Sequence, residues 1–219
     1  MNKSHVLNIV PTPIGNLEDI TLRSLDTLKN SDYILCEDTR VSKKLLNKYN
    51  IEVQLVSFHS FNEHKTVQKH INQILDGKVV SLISDAGTPS ISDPGFLIVR
   101  ESIKNNIEIN CLPGATALIP AIVNSGLSSE RFVFEGFLPR KKGRATRLES
   151  LAEEKRTLVI FESPNRIQKT LKDILKVFGN RQVAIARELT KIHEEVIRFL
   201  RTDPGELATE WRSRWRSAN

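Results

Sequence analysis

A short apolar run that stops abruptly at a turn constrains this fold more than any other feature. The run at residues 79–83 is rich in β-branched side chains, which is typical of a parallel strand buried on both faces. Residues 84–89 follow and contain a glycine among small side chains, so the backbone can come close to a ligand there. A second turn at residues 92–95 leads into a helical pattern that begins at Phe96.

The same succession of apolar run, turn and helical spacing recurs along the chain. It predicts five strands in the first part, at residues 7–10, 33–36, 55–58, 79–83 and 107–112. It predicts further strands at residues 132–134, 157–161 and 182–186. This alternation is typical of an α/β fold with a mostly parallel sheet. The pattern changes near residue 125, which predicts two α/β domains, residues 1–125 and 126–219.

Composition narrows the class of protein. Hydrophobic residues make up 39% of the 219 residues, and no apolar run reaches the roughly 20 residues that a membrane span needs. The first residues lack the long apolar segment of a secretory signal, so we expect a cytoplasmic location and no membrane partner. Cys36 and Cys111 lie in or beside apolar runs and are expected to be reduced and buried. The net charge of +6 is compatible with a nucleic-acid partner.

Several common site motifs are missing from the sequence. It contains neither the phosphate-binding P-loop pattern nor the glycine-rich dinucleotide fingerprint, and it has no nucleophile elbow. His59, His64 and His70 lie in a polar stretch with a spacing that fits no zinc motif, so no metal site is expected.

Charged residues stand where several predicted strands end. Glu37, Asp38 and Arg40 follow the second strand, and Asp85 follows the strand at residues 79–83. The carboxyl ends of parallel strands meet at one edge of a sheet, where α/β proteins bind ligands, so a site is expected there. The alternatives are a helix cap with a local ion pair at residues 37–40 and an ordinary connecting loop at residues 84–89.

A second candidate site is the basic segment at residues 140–147. It has no acidic residue and five basic ones, Arg140, Lys141, Lys142, Arg144 and Arg147. Such a segment can bind RNA phosphates through charge alone, so its effect would depend on salt and not on base sequence. A solvated loop is the alternative.

Six short motifs together resemble those of the tetrapyrrole methylase superfamily of S-adenosylmethionine-dependent methyltransferases. They run in the order of that family, at residues 9–17, 37–40, 84–95, 112–114, 135–139 and 186–191. The resemblance implies a homodimer and two α/β domains with the methyl donor in the cleft between them. Within the superfamily the chain is similar to members that act on ribosomal RNA. That implies methylation of a cytidine ribose 2′-hydroxyl in the decoding region of 16S ribosomal RNA, in the small ribosomal subunit.

The resemblance also implies which residues form the site. Those expected to bind S-adenosylmethionine are Pro13, Ile83, Ser84, Asp85, Gly87, Thr88, Thr116, Ala117, Glu162 and Leu189. A ribose hydroxyl must lose its proton near the transition state, which requires a base or a stabilising cation. The candidates for that role are Glu37, Asp38, Arg40, Glu188 and Lys191. Glu37 and Asp38 are favoured because the donor loop offers no second ionisable group beside Asp85.

The end of the chain departs from the family pattern. Members usually finish with a Lys-Gly-Glu segment and a last apolar strand, whereas the sequence after Leu200 is rich in arginine and tryptophan, and no closing strand is expected there. Two other functions therefore stay open. One is methyl transfer to a small tetrapyrrole-type acceptor, and the other is an inactive protein that binds cofactor or RNA.

Overall fold

The computed structural model describes residues 5–199, which fold as two compact units that meet in the sequence between Ala117 and Leu118. The first unit has five strands, β1 (Val6–Ile9), β2 (Tyr33–Cys36), β3 (Gln54–Ser57), β4 (Val80–Leu82) and β5 (Glu108–Cys111). Its α-helices are α1 (Leu22–Lys29), α2 (Thr39–Lys48), α3 (Glu63–Leu75) and α4 (Phe96–Lys104).

The five strands form one parallel sheet in the order β3-β2-β4-β1-β5. β4 is the central strand, which confirms the prediction from its apolar run. Neighbouring residues of β2 face opposite cores: Leu35 packs with Phe58 on one face, and Ile34 packs with Leu46 on the other. Because all five strands are parallel, their carboxyl ends and the loops that follow lie along the same edge.

The second unit contains α5 (Leu118–Ser125), β6 (Phe132–Phe137), α6 (Arg144–Leu151), β7 (Thr157–Phe161), α7 (Ile167–Phe178), β8 (Val183–Arg187) and β9 (Glu195–Phe199). β6 and β7 pair in parallel, and the register shifts between Phe134 and Gly136. β8 and β9 pair antiparallel. The sequence analysis did not predict β9.

The change between units falls before α5, whereas the sequence pattern placed it after residue 125. α5 packs against β8 and β9, and the Arg198 side chain of β9 donates to the Asn124 carbonyl, so the helix belongs to the second unit. The expectation that no closing strand follows Leu200 lies outside the described residues.

Two further expectations can be compared with the structure. Cys36 is a buried free thiol as predicted, but Cys111 is exposed, because β5 is an edge strand of the sheet. Among the helices within residues 5–199, none is long and apolar enough to span a bilayer.

Candidate functional site

The loop at residues 84–89 is fixed rigidly to the end of β1. Thr12 and Gly87 exchange backbone hydrogen bonds of 2.9 Å in both directions, and the Thr12 hydroxyl donates to the Ser84 carbonyl at 2.9 Å. Gly87 has φ +82°, a conformation that side-chain-bearing residues rarely adopt. Thr12 and Ser84 are buried while Asp85 is exposed, so the loop presents one carboxylate from a fixed backbone.

Three loops of the first unit converge at this edge. A Cβ atom on Gly87 would lie 3.6 Å from Ile14 Cγ2 and 4.0 Å from the Ala115 carbonyl oxygen, which brings the loops after β1, β4 and β5 together. A Cβ on Gly114 would lie only 2.7 Å from Pro11 Cβ, so this position requires glycine. These loops carry the predicted donor-binding residues of the first unit, namely Pro13, Ile83, Ser84, Asp85, Gly87, Thr88, Thr116 and Ala117.

The Asp85 carboxylate connects the end of β4 to the end of β2. It accepts a hydrogen bond of 3.1 Å from the Asp38 backbone N–H. Asp38 is the N-cap of α2 and accepts from the Arg40 N–H at 2.8 Å, while the Arg40 guanidinium lies 2.6 Å from its other oxygen. These hydrogen bonds lower the pKa of Asp38 to about 2. Asp38 is therefore a weak base, which does not favour the role in proton removal that the sequence suggested for it.

Glu37 and Asp93 have the opposite electrostatics. Burial and the nearby Asp85 carboxylate raise the pKa of Glu37. Burial, together with Glu37 and Asp85, raises the pKa of Asp93 to about 6. The Asp85 carboxylate is thus close enough to Glu37 and Asp93 for its negative charge to oppose their ionisation.

Asp93 was not predicted as a site residue, although the turn at residues 92–95 that carries it was recognised as part of a family motif. The turn that carries it is closely packed: a Cβ on Gly95 would lie 2.5 Å from Ser90 Oγ and 2.7 Å from Leu82 Cδ2. The Ser90 N–H also donates to the Pro94 carbonyl at 3.2 Å. An acidic residue in a second turn of the same strand-to-helix connection was the available signal.

In the second unit, Glu162 is at the centre of a buried polar network. Its carboxylate accepts from Arg166 Nε at 2.7 Å, from the Thr170 hydroxyl at 2.6 Å and from the Ser163 N–H at 2.8 Å. Burial would raise the pKa of Glu162, but these hydrogen bonds outweigh it and the pKa is lowered. The side chain is 3% exposed, so the structure gives this predicted donor contact a structural role within its own unit.

The basic segment is divided between scaffold and surface. Arg144 is buried at the start of α6, where its guanidinium contacts Asp173 at 3.0 Å, Thr170 Oγ1 at 2.7 Å and the Pro139 carbonyl at 3.2 Å. Arg147 forms a two-pronged pair with Glu135. Arg140, Lys141 and Lys142 precede α6 and are exposed. The prediction of phosphate contacts therefore applies to these three, since Arg144 holds the segment in place.

The other second-unit candidates lie after β8. Leu189 is buried, and Glu188 and Lys191 form an exposed ion pair with Nζ 3.2 Å from Oε1. Glu188 has φ +49° and Thr190 has φ +65°, so two residues with side chains adopt the left-handed region in this turn. Their predicted roles stay predictions.

A single family match covers almost all of the described residues. Residues 6–204 match the family described as Tetrapyrrole (Corrin/Porphyrin) Methylases. The chain belongs to the tetrapyrrole methylase family. This agrees with the resemblance that the six sequence motifs carried.

Named relatives in this family are similar over most of the chain. A protein of Thermotoga maritima is 50% identical over 192 residues, which cover 88% of this chain and 86% of the relative. A protein of Halalkalibacterium halodurans is 49% identical, over 88% of this chain and 67% of the relative. Both are named ribosomal RNA small subunit methyltransferase I.

Solved structures support the fold. A cobalt precorrin-4 methyltransferase superposes with a TM-score of 0.70 at 19% identity, over 97% of this chain and 92% of that one. Diphthine synthase gives 0.71 at 15% identity, over 93% and 84%. At these identities the two likenesses show the fold and leave the acceptor open.

Glu37, Asp85 and Asp93, at the ends of β2 and β4, form what we call the carboxylate edge. This edge suits the cationic methyl donor that a tetrapyrrole methylase is expected to use. Asp85 is exposed on a rigid loop, and Glu37 and Asp93 add acidic groups beside it, so a positively charged ligand would relieve their mutual repulsion. Within residues 5–199, no group of three or more His, Cys, Asp or Glu side chains could hold a metal ion.

Proposed function

We propose that this chain transfers a methyl group from S-adenosylmethionine to the RNA of the small ribosomal subunit. The observation that carries the proposal is 45–50% identity to relatives named ribosomal RNA small subunit methyltransferase I, across most of the chain. Exposed cations at Arg140, Lys141 and Lys142 add a surface that suits phosphates.

The donor would be held by the loops at the carboxyl edge of the first sheet. When bound, S-adenosylmethionine supplies an electrophilic methyl group attached to a cationic sulfur. The backbone of residues 83–88 is fixed by the Thr12 hydrogen bonds, so it can position a ligand without first becoming ordered. Asp85 offers an acceptor for a hydroxyl or an ammonium group. Pro13, Thr116 and Ala117 stand on the two neighbouring loops.

The acceptor hydroxyl must lose its proton as its oxygen forms the new bond to carbon. Asp38 is a weaker base than Glu37 or Asp93, because its hydrogen bonds with Arg40 lower its pKa to about 2. Burial and nearby carboxylates raise the pKa of Glu37, and they raise that of Asp93 to about 6, so both groups accept a proton more readily than an ordinary carboxylate. We therefore favour Glu37 and Asp93 as the proton-accepting carboxylates. The Glu188–Lys191 pair is the alternative from the second unit.

The proposed acceptor is the 2′-hydroxyl of a cytidine in the decoding region of 16S ribosomal RNA, as the motif resemblance implies. This substrate supports the cytoplasmic location expected from the sequence. A homodimer is part of the same proposal. Arg40, which is 88% exposed beside the carboxylate edge, is better placed to contact an RNA phosphate than to take part in proton transfer.

The test is to incubate the chain with labelled methyl donor and three acceptors in parallel, namely 30S subunits, naked 16S RNA and a tetrapyrrole. We expect label in the RNA, recovered after nuclease digestion as 2′-O-methylcytidine. Label in the tetrapyrrole alone would replace the RNA acceptor with a small one. Donor binding without transfer to any acceptor would favour a binding protein over an enzyme.

A further inference from the structure

A groove lies beside α2 on the first unit, adjoining the carboxylate edge. Its volume is about 650 Å³, which is within the roughly 300–1,000 Å³ typical of ligand pockets. It is lined by α2, by the connection at residues 51–53 and by the edge strand β3. Of the site residues predicted from the sequence, Arg40 alone lines this groove.

The lining combines apolar side chains with polar ones. Leu46 and Ile51 are buried and Val53 and Leu55 are half-buried, so the groove offers an apolar surface. Another part of the lining is charged or polar, with Arg40, Lys43 and Asn47 from α2 and Glu52 from the connection. Arg40, Lys43 and Asn47 follow one another at helical spacings of three and four, so they share one face of α2.

The charge of α2 extends beyond the groove. The helix carries Arg40, Lys43, Lys44 and Lys48 and has no acidic residue, and all four cations are exposed. Ten helical residues extend about 15 Å. Arg40 and Lys43 line the groove, while Lys44 and Lys48 lie outside its lining and add to the positive field around it, which attracts a polyanion.

The groove begins where the proposed chemistry takes place. Asp38 is the N-cap of α2, and its N–H donates to the Asp85 carboxylate. Thr39 and Arg40, the first two residues of the helix, already line the groove. A polymer whose reacting nucleotide sits at the carboxylate edge would therefore have its neighbouring nucleotides beside α2.

We propose that this groove binds the single-stranded RNA segment next to the acceptor nucleotide. Arg40 and Lys43 contact backbone phosphates, and a flanking base or ribose packs against Leu46, Ile51 and Leu55. The proposal rests on the RNA methyltransferase function proposed above and names the part of the substrate that this surface holds.

The chemistry of the lining favours RNA over an acidic protein segment. Single-stranded RNA presents apolar base faces and phosphates in alternation, which matches an apolar floor flanked by cations. Glu52 can accept from an exocyclic amine of a base, and the Asn47 amide can both donate and accept.

The test compares Lys43→Gln with Lys44→Gln in the full chain. The two lysines are adjacent, exposed and lose the same charge, but only Lys43 lines the groove. Binding of a single-stranded RNA oligonucleotide from the methylated region is measured over a range of salt concentrations, with methylation of 30S subunits measured in parallel.

We expect Lys43→Gln to weaken RNA binding several-fold and to lower the salt slope by about 0.7, the value for one phosphate contact on a single strand. Lys44→Gln should have a much smaller effect, and donor affinity should be unchanged in both.

Three results would overturn the proposal. Equal losses in the two variants would show a general positive field without a specific groove contact. Native RNA binding by Lys43→Gln would remove the groove from the RNA path. Reduced methylation of 30S subunits with native RNA binding would instead indicate contact with a ribosomal protein. A wild-type chain that binds the oligonucleotide but does not methylate 30S subunits would contradict the proposed enzyme, while the binding comparison would still decide the groove.

Discussion

Two ion pairs that look alike in the sequence have different environments in the structure. Asp38–Arg40 and Glu162–Arg166 each lie where a strand leads into a helix, and each joins a carboxylate to an arginine a few residues later. The Asp38 and Arg40 side chains are 27% and 88% exposed, whereas those of Glu162 and Arg166 are 3% and 28% exposed. The first pair borders the candidate site, and the second holds its own unit together.

The difference arises from what the following helix contributes. α7 supplies the Thr170 hydroxyl one turn after its start, and Thr170 also accepts from Arg144 of α6, so the Glu162 carboxylate is enclosed by several elements. The Asp38 side chain instead accepts from Arg40 at the beginning of its own helix, while the Asp38 N–H is used by Asp85. Charged residues at a strand end therefore have a structural role when side chains from neighbouring helices enclose them. They stay accessible to a ligand when their partners lie only a few residues away in the sequence.

The largest effect should follow from removing the buried carboxylate. Glu162→Ala leaves the buried Thr170 hydroxyl and the Ser163 N–H without their acceptor, which should cost about 3 kcal/mol of unfolding free energy. Urea denaturation measures it. Glu153→Ala, an exposed site in the same unit, is the control and should stay within about 0.5 kcal/mol. A Glu162→Ala variant as stable as that control would mean that the network has no structural role and that Glu162 is free for the donor.

At the exposed edge, a similar change should affect rate and leave folding intact. We expect Glu37→Gln to lower the single-turnover methylation rate about 100-fold, because it removes a carboxylate whose raised pKa makes it a better proton acceptor. Asp38→Asn should lower it less than about tenfold, because the pKa of Asp38 is already too low for a useful base. Donor and RNA binding are measured alongside to separate chemistry from affinity.

The reverse ranking would restore the role that the sequence suggested for Asp38. A large loss in Glu188→Gln or Lys191→Met, with both Glu37→Gln and Asp38→Asn near the wild-type rate, would move proton removal to the second unit. Each of these four changes alters a single side chain at the end of β2 or after β8, so each prediction is tested separately.

The contrast between the two ion pairs also shows which features of the structure the sequence could predict and which it could not. The parallel sheet of the first unit followed from its apolar runs, because strands buried on both faces have an unmistakable composition. Both arginine–carboxylate pairs had the same local signal, but burial depends on Thr170 and Arg144, which come from helices elsewhere in the chain. Local pattern could not distinguish them.

Other misses have the same origin. β9 has two charged residues among its five, so it shows no continuous apolar run, and its pairing with β8 is visible only in the structure. Cys111 lies in an apolar run but at the edge of the sheet, and only the strand order shows that it is exposed. The raised pKa of Asp93 depends on burial and then on Glu37 and Asp85, which belong to two different strand ends, so it follows from tertiary structure.

A smaller effect is expected from the pH dependence of Asp93. The pKa of Asp93 is about 6 in the folded chain, above the ordinary value of 3.8. The folded state therefore favours protonated Asp93, and the stability gained from this is complete below about pH 4 and is lost as the pH rises through 6. Asp93→Asn cannot ionise, so its unfolding free energy should exceed that of the wild type increasingly between pH 4 and 7. The two should differ by a constant amount above pH 7. Denaturation curves at pH 4 to 8 measure this, and a difference independent of pH would contradict the clustering of Glu37, Asp85 and Asp93.

The smallest effect should come from the exposed part of the basic segment. Changing Arg140, Lys141 and Lys142 to Ala removes cations that carry no structural hydrogen bond like that of Arg144, so the unfolding free energy should stay within about 0.5 kcal/mol. RNA binding should weaken and its salt slope should decrease by up to about 2, since each phosphate contact on single-stranded RNA contributes about 0.7. Arg144→Ala makes the opposite change, because it removes the buried contacts to Asp173 and Thr170 and should destabilise the second unit. The prediction would be contradicted if the triple variant kept the full salt slope while Arg144→Ala reduced that slope without loss of stability. In that case Arg144 would bind RNA and the three exposed cations would not, so burial would not separate the binding residues of this segment from the structural ones.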